Sequence, residues 1–564
     1  MEIFQERLRL LLGVLYSGQA LQEAETKCMA LKKRWEPYGV KKARNLTEQD
    51  AMLITYGDAV AEDGEAPLFT LNRFLQEYCS EGITDVHLLP ICPYTSDDGF
   101  SVSDYTRIDP ALGGWEDVEA LSSNFGVMLD AVVNHTSKSH AWFQNCLKGA
   151  APYKDYYIAC DPSLDYSSVT RPRPLPLLTK FQTPAGEKWY WTTFSDDQVD
   201  VNFASPDLLC EIIDVLLSYA GRGAKFIRLD AVGFAWKQLG TSCMHLPQTH
   251  AVVKLFRHFL NQLFPGVYLI TETNVPHLDN IRYFGQGDEA DLVYQFPLPP
   301  LVLFTFLTGN ATKLSKWADS LRETSLPEGT AYFNFLASHD GVGVRPTEGI
   351  LNEKEREFLL EAAISHGGRV SYKQNADGSQ SPYELNINYC DALTPSGATD
   401  SARIARFLAA QAILLSLQGV PGIYYHSLLG SRNWVKGMEK SGISRRINRE
   451  KLEYSRLIQE LNEPGSFRHK IFFGFLELLK IRRRQPAFSP FASQRVLDFG
   501  PSIFAVARES ARPGQKLLAL VNVTGNTAGL NETLTGEDLL NGDKPVSIRS
   551  LSPYQICWLK LAEE

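Results

Sequence analysis

Residues 226–234 read FIRLDAVGF. The apolar run is that of a buried strand, yet Arg228 and Asp230 interrupt it. Successive side chains of a strand point to opposite faces, so positions 228 and 230 share one face. Two charges on an interior face are costly, because each ionised group loses several kcal/mol on leaving water. Their place near the end of the run predicts a strand that opens into a site, where the arginine holds the aspartate ionised and aims it.

Outward from this stretch, the same texture recurs. The runs are AMLITYG (51–57), DVHLLPI (85–91), GVMLDAVVNH (126–135), AKFIRLDAV (224–232), GVYLITETN (266–274), DLVYQFPLP (291–299), AYFNFLASHD (331–340) and GVPGIYY (419–425). They alternate with amphipathic segments such as SPDLLCEIIDVLLSYAGRG (205–223) and PQTHAVVKLFRHFLNQL (247–263). Eight near-continuous apolar strands, each followed by a helical pattern, predict an α/β fold with a covered parallel sheet. The count of eight favours a closed (β/α)8 TIM barrel over an open sheet.

Two stretches are too long to be simple connections. One, 136–204, follows the third strand and contains RPRPLPLL; the other, 341–405, follows the seventh and contains the turn-prone NADGSQSPYE. Long insertions after barrel strands shape the active face. The barrel itself is expected over 49–486. Residues 1–48 are charged and helical in pattern, placed either to cap the barrel or to mediate pairing. In 487–564, RVLDFG, SIFAVAR, KLLALVNVTG and QICWLKL are separated by turn signals and predict a C-terminal β-sandwich.

The chain has 564 residues, 44% hydrophobic and 21% charged, with a net charge of −9. The acidic balance argues against nucleic acid or an anionic membrane as partner and leaves small molecules, anionic ones included. No apolar stretch approaches the ~20 residues of a membrane span. Nine scattered cysteines without a CxxC pair, and a start without a signal-peptide pattern, predict reduced thiols and a cytoplasmic location.

In a barrel of this kind the strand ends line the mouth where chemistry occurs. Three ends carry carboxylates: Asp230 on the fourth strand, Glu272 on the fifth and Asp340 on the seventh. His135 and His339 end the third and seventh. Singly, a buried carboxylate at a strand end reads as well as a structural ion pair or cap as it does as a functional group. Together around one mouth they suit glycosidic-bond chemistry. One carboxylate attacks the anomeric carbon, one carboxylic acid protonates the leaving oxygen, and further negative charge steadies an oxocarbenium-like transition state.

DAVVNH, FIRLDAV, ITETN and FLASHD resemble, in order, the four signature segments of the α-amylase superfamily (glycoside hydrolase family 13). TSDDGFSVSDY, RPRP, FSDDQVD, RLDAVGF, GTSC (240–243) and SRRINR carry a closer likeness to the sucrose phosphorylase branch. WTTFSDDQVD, GTSCMHL, TETNVPHLDN, YQFPLPPLVL and NFLASHDGVG are most similar to the glucosylglycerate phosphorylases. By position, the resemblance implies Asp230 as nucleophile, Glu272 as general acid/base and Asp340 as transition-state stabiliser. It places His135 and His339 on hydroxyls of a glucosyl ring, with Arg228 orienting Asp230. Asp97 and Arg445 would clamp the far side of that ring, Phe100 and Phe194 would wall it, and Gln198 would give a polar contact. On the residues alone, SDDGF reads as a turn, Arg445 and Arg446 as a solvated basic patch, and the phenylalanines as core.

The carboxylate trio specifies only a covalent glucosyl-enzyme; water, a sugar or phosphate then decides the product. Phosphate needs cations beside the anomeric centre. Arg171 and Arg173 in RPRP are expected to supply them, although the same stretch reads as a rigid surface loop. The run Glu272-Thr273-Asn274 departs from the Glu-x-His of sucrose phosphorylases. Asparagine carries no positive charge, which disfavours fructose as acceptor and favours glycerate. Asn274, with Lys237 and His245 from the loop after the fourth strand, is expected to choose the acceptor.

The resemblance implies no cofactor and no metal, although amylases bind calcium through the asparagine matching Asn134. Inorganic phosphate would be a co-substrate, and the protein a monomer or homodimer. The expected reaction is the reversible phosphorolysis of 2-O-α-glucosylglycerate. Phosphorylases of sucrose, sucrose 6′-phosphate or glucosylglycerol are the nearest alternatives. An α-glucosidase or transglucosidase is a second class. A silent binding barrel is a third, disfavoured because the trio is intact.

Overall fold

The computed structural model describes residues 2–40, 45–375, 377–510 and 516–561. Eight parallel strands close on themselves: β1 Met52–Thr55, β2 Asp85–Leu88, β3 Gly126–Val132, β4 Ala224–Asp230, β5 Tyr268–Thr271, β6 Leu292–Tyr294, β7 Ala331–Phe335 and β8 Val420–Tyr424. Each pairs with its neighbours in chain order, and β8 pairs with β1 to complete the barrel. Each lies within one of the eight expected runs. These strands are buried along almost their whole length. That is why they read as continuous apolar runs: core fills one side and helices cover the other.

Register decides which polar groups meet inside. Across β3 and β4, Arg228 stands opposite Asp130, and across β2 and β3 His87 stands opposite Met128, two residues before Asp130. A layer of charge therefore crosses the barrel just below its mouth.

The N-terminal helices, α1 Glu2–Leu15 and α2 Gly18–Trp35, lie outside the barrel against α3 Pro206–Gly221 and α4 Pro247–Leu263. Phe4, Leu8 and Leu12 recur every fourth residue and form one buried stripe. Each such side chain contributes roughly 1.5–3 kcal/mol on burial. The Phe4 ring stacks on His258 at 4.2 Å, and Trp35 Nε1 donates to Asp214 at 2.6 Å. The segment thickens the barrel wall; it does not cover the mouth.

Both insertions fold. In the first, His135–Ser137 pairs with Gln198–Asp200, and Ala159–Cys160, Gly186–Trp191 and Leu178–Thr183 form an antiparallel sheet. In the second, Val342–Gly343, Gln380–Asn386 and Arg369–Gln374 form another, beside the helix Glu353–Ser365.

The C-terminal strands are β9 Ser493–Val496, β10 Ile503–Glu509, β11 Lys516–Asn522, β12 Ala528–Asp538, β13 Lys544–Leu551 and β14 Ile556–Lys560. They hydrogen-bond into one antiparallel sheet, ordered β9-β10-β11-β14-β12-β13. Where a sandwich of two sheets was expected, a single sheet stands. Its β12–β13 hairpin packs Leu534, Val546 and Ile548 on a small second core with Leu518, Leu520 and Leu559. That hairpin escapes sequence reading because β12 is mostly exposed and polar. All nine cysteines are unpaired thiols, and among the described residues no helix is long and apolar enough to cross a membrane.

Candidate active site

A cavity of about 510 Å³ opens at the C-terminal mouth of the barrel, walled by both insertions. Asp230 ends β4. Ala231 after it is left-handed, with φ 49°, a conformation that costs a non-glycine residue roughly 1–2 kcal/mol. The bend aims the Ala231 N–H at Glu272, whose Oε2 accepts it at 3.1 Å. Beneath them, Arg228 donates to Asp230 Oδ1 at 2.9 Å, pairs with Asp130 and lies 3.9 Å from Glu272 Oε2. Asp130 also meets His87 Nε2 at 2.6 Å.

Burial pushes the pKa of both Asp230 and Glu272 up, and Arg228 opposes it in each. The hydrogen bond from Arg228 goes to Asp230. That bond favours the charged form of Asp230, the Ala231 N–H favours that of Glu272, and the two carboxyls titrate as a pair.

Asp340 sits in the loop beyond β7. Arg445 Nη1 reaches its Oδ1 at 2.7 Å, His339 Nε2 its Oδ2 at 3.4 Å, and Arg449 Nη2 its Oδ1 at 3.8 Å. Burial alone would raise this carboxyl, but the Arg445 and Arg449 guanidiniums outweigh it and hold it well below the usual carboxylate range. Arg445 is fixed in turn by Glu384, with contacts of 2.7 and 3.1 Å. Burial drives the His339 ring down to about 3, so it is neutral, and it stacks on Phe100 at 4.7 Å.

The SDDGF segment is both a turn and a piece of the site. Asp97 and Asp98 are consecutive left-handed residues, with φ 55° and 48°. Asp97 faces the cavity and meets Arg173 Nη2 at 3.2 Å; Asp98 points away and takes Arg446 and Arg449 at 2.8 Å each. Arg445 is no solvated patch, since it bridges Asp340 and Glu384. Phe100, Phe194 and Gln198 line the cavity with His135. Both ring nitrogens of His135 already have partners: Nε2 the Phe100 carbonyl at 2.9 Å, Nδ1 the Asn134 amide at 3.2 Å.

Arg171 and Arg173 reach the cavity wall from the first insertion. Arg171 donates to the Leu175 carbonyl and keeps a buried, unpartnered Nε. Asn274 also lines the cavity, and its Oδ1 is buried without a partner.

Two expected acceptor residues lie elsewhere. Lys237 is buried behind the wall, its Nζ 2.7 Å from Asn134 Oδ1 and 2.7 Å from Asp200 Oδ2. The tight turn Val232–Phe234 after β4 carries it past the mouth. His245 is also outside the cavity lining. Its Nδ1 meets the Tyr283 hydroxyl at 2.8 Å, and burial lowers it to about 4, so it offers no cation.

Sequence reasoning did not single out Asp130, His87, Arg449, Glu384, Arg345 or Lys373. Asp130 was within reach: it interrupts the apolar run 126–133 as Arg228 and Asp230 interrupt theirs. Arg345 and Lys373, on the cavity wall, come from a polar insertion with no periodicity to mark an inward face.

A barrel with its carboxylates gathered at the C-terminal mouth is the architecture of the α-amylase class, and the family model for the alpha amylase catalytic domain matches residues 76–356. The chain is 45% identical to the glucosylglycerate phosphorylase of Spirochaeta thermophila, over 98% of each chain. It is 49% identical to that of Allomeiothermus silvanus over 91% of each. The crystal structure of sucrose 6F-phosphate phosphorylase from Thermoanaerobacter thermosaccharolyticum superposes with a TM-score of 0.75 at 23% identity, covering 90% of this chain and 99% of that one. The chain belongs to the α-amylase superfamily, in its family of glucosylglycerate phosphorylases.

Proposed function

We propose that the protein is a retaining glycoside phosphorylase that reversibly converts 2-O-α-D-glucosylglycerate and phosphate into α-D-glucose 1-phosphate and D-glycerate. One observation carries the chemistry. Asp230 and Glu272 share the guanidinium of Arg228, at 2.9 and 3.9 Å, on a cavity they line together with Asp340. The high identity to glucosylglycerate phosphorylases along nearly the whole chain supports the choice of glucoside.

In the first half-reaction the Asp230 carboxylate attacks C1 of the glucosyl ring. The C1–O bond to glycerate breaks as Glu272 gives its proton to the departing oxygen. Glycerate leaves and a β-glucosyl ester remains on Asp230. Phosphate then takes the vacated place. Glu272, now a carboxylate, removes its proton while a phosphate oxygen attacks C1; the ester bond breaks and Asp230 is a carboxylate again. Two inversions give net retention. Asp340, kept negative by Arg445, steadies the positive charge that develops at C1 in both steps.

Asp97, Phe100, His135, Phe194, Gln198, His339 and Arg445 form the glucosyl side of this reading. Burial lowers the His135 and His339 rings, so both are neutral; His339 keeps an unpartnered Nδ1, and His135 meets a glucosyl hydroxyl only by giving up the Phe100 carbonyl or the Asn134 amide. Arg171 and Arg173 are assigned to phosphate. No metal is needed at Asn134, because the Lys237 ammonium engages Asn134 and Asp200 there. No cofactor is assigned, the oligomeric state is a monomer or homodimer, and unpaired cysteines support a cytoplasmic location.

The test is to incubate the purified protein with phosphate and, separately, glucosylglycerate, sucrose and glucosylglycerol. Glucose 1-phosphate formed preferentially from glucosylglycerate agrees with the proposal. Free glucose alone makes it a hydrolase; no turnover of any substrate makes it a silent barrel.

A further inference from the structure

Two cations on the cavity wall are left over by the machinery above. Arg345 opens the short turn Arg345–Thr347 beyond β7, and Lys373 lies on the strand Arg369–Gln374 of the second insertion. Both line the cavity with Asp230, Glu272 and Asn274. Of its other guanidinium groups, Arg173 pairs with Asp97 and Arg445 with Asp340 and Glu384, while Arg171, from the first insertion, donates only to the Leu175 carbonyl and keeps an unpartnered Nε. Among the described residues, neither the Arg345 nor the Lys373 side chain has an ion pair or a hydrogen bond, and Arg345 Nε is buried without a partner.

Two unneutralised cations close together repel. Burial first, and then Arg345, pushes the Lys373 amine below its ordinary value, while Glu348 acts the other way without forming an ion pair with it. An anion between them removes the conflict, and a guanidinium with an ammonium suits the two oxygens of a carboxylate. Their position points to the leaving-group side of Glu272. A Cβ on Gly343, two residues before Arg345, would stand 2.9 Å from Asn274 Oδ1, and Asn274 is two residues past Glu272. That Oδ1 is an unpartnered acceptor at the same wall.

We infer that Arg345 and Lys373 bind the carboxylate of the acceptor, with Asn274 Oδ1 taking a hydroxyl, so that the site selects small 2-hydroxy acids over neutral polyols and sugars. The inference rests on the phosphorylase reading only in placing the acceptor beside Glu272. It moves the acceptor's cation from Lys237 and His245, which are turned away, to residues of the second insertion. Arg171 and Arg173, from the first insertion, remain for phosphate.

The experiment uses the full-length protein with Arg345→Gln, Lys373→Met and the double substitution, each checked for an unaltered melting temperature. In the synthetic direction, with glucose 1-phosphate as donor, the KM for D-glycerate rises roughly 10-fold or more per substitution. The preference for D-glycerate over glycerol falls by the same factor. Equal losses on both acceptors overturn the inference, as does a larger rise in the KM for phosphate than for glycerate. Calorimetric titration of D-glycerate onto the unreacted proteins separates this question from the reaction itself. Binding that depends on the two cations upholds the inference even if another glucoside proves to be the better substrate. Binding that is equally tight in the double variant, or absent from the unsubstituted protein, ends it.

Discussion

Arg228 Nη1 donates to Asp230 Oδ1 at 2.9 Å while the same guanidinium pairs with Asp130, its partner across the β3–β4 register. One buried cation thus neutralises a carboxylate below the mouth and aims another at its floor. Arg228→Met leaves both uncompensated, and breaking a buried pair of this kind costs about 3–5 kcal/mol. Calorimetric melting at pH 7 is expected to show a fall of that order together with a loss of turnover. A variant that keeps its melting temperature argues against the pairing.

The acid limb and the alkaline limb of the activity profile belong to different carboxyls. Catalysis needs Asp230 charged and Glu272 protonated, so the rate climbs as Asp230 loses its proton and declines as Glu272 loses its own. Burial raises Glu272, which moves the decline to higher pH than an ordinary glutamate would give. With α-glucosyl fluoride, whose leaving group needs no proton, Glu272→Gln is expected to retain glucosylation of the enzyme without the alkaline limb. An alkaline limb that persists in that variant belongs to another group.

The Lys237 ammonium stands 2.7 Å from both Asn134 Oδ1 and Asp200 Oδ2 and supplies the positive charge there. Chelator is expected to leave the melting temperature of the protein unchanged. Lys237→Met strands the buried Asp200 carboxylate and lowers stability by about 3–5 kcal/mol. The ratio of glycerate to sucrose turnover in that variant serves as the control: a large shift would return Lys237 to the acceptor site.

Asn274 and His245 separate in the same assay. Asn274→Ala removes a polar group from the cavity wall and lowers kcat/KM with glycerate by roughly 10-fold. His245→Ala opens a gap beside Tyr283 and is read in the melting temperature, with little change in acceptor preference. Equal effects on acceptor choice contradict the placement of the two side chains.

The eight strands were legible because burial on both faces leaves uninterrupted apolar runs, and Arg228 and Asp230 were legible because charge inside such a run is conspicuous. Asp97 and Arg445 needed the family resemblance: on their own they look like a turn and a basic surface, and only long-range contacts with Arg173, Asp340 and Glu384 make them a site. Lys237 and His245 were misplaced because a three-residue turn after β4 redirects the chain, and turn geometry does not show in residue types. Arg345 and Lys373 were passed over because an irregular polar insertion gives no periodicity from which to deduce a facing side.

The direct test of the double displacement is to trap its intermediate. The protein is incubated with a fluorinated α-glucosyl fluoride that reacts quickly and is released slowly, then its mass is measured and the labelled peptide sequenced. A single glucosyl adduct on Asp230, discharged as an α-glucosyl phosphate when phosphate is added, is the predicted result. An adduct on a different residue, or turnover of glucosylglycerate with no adduct at all, would contradict the account.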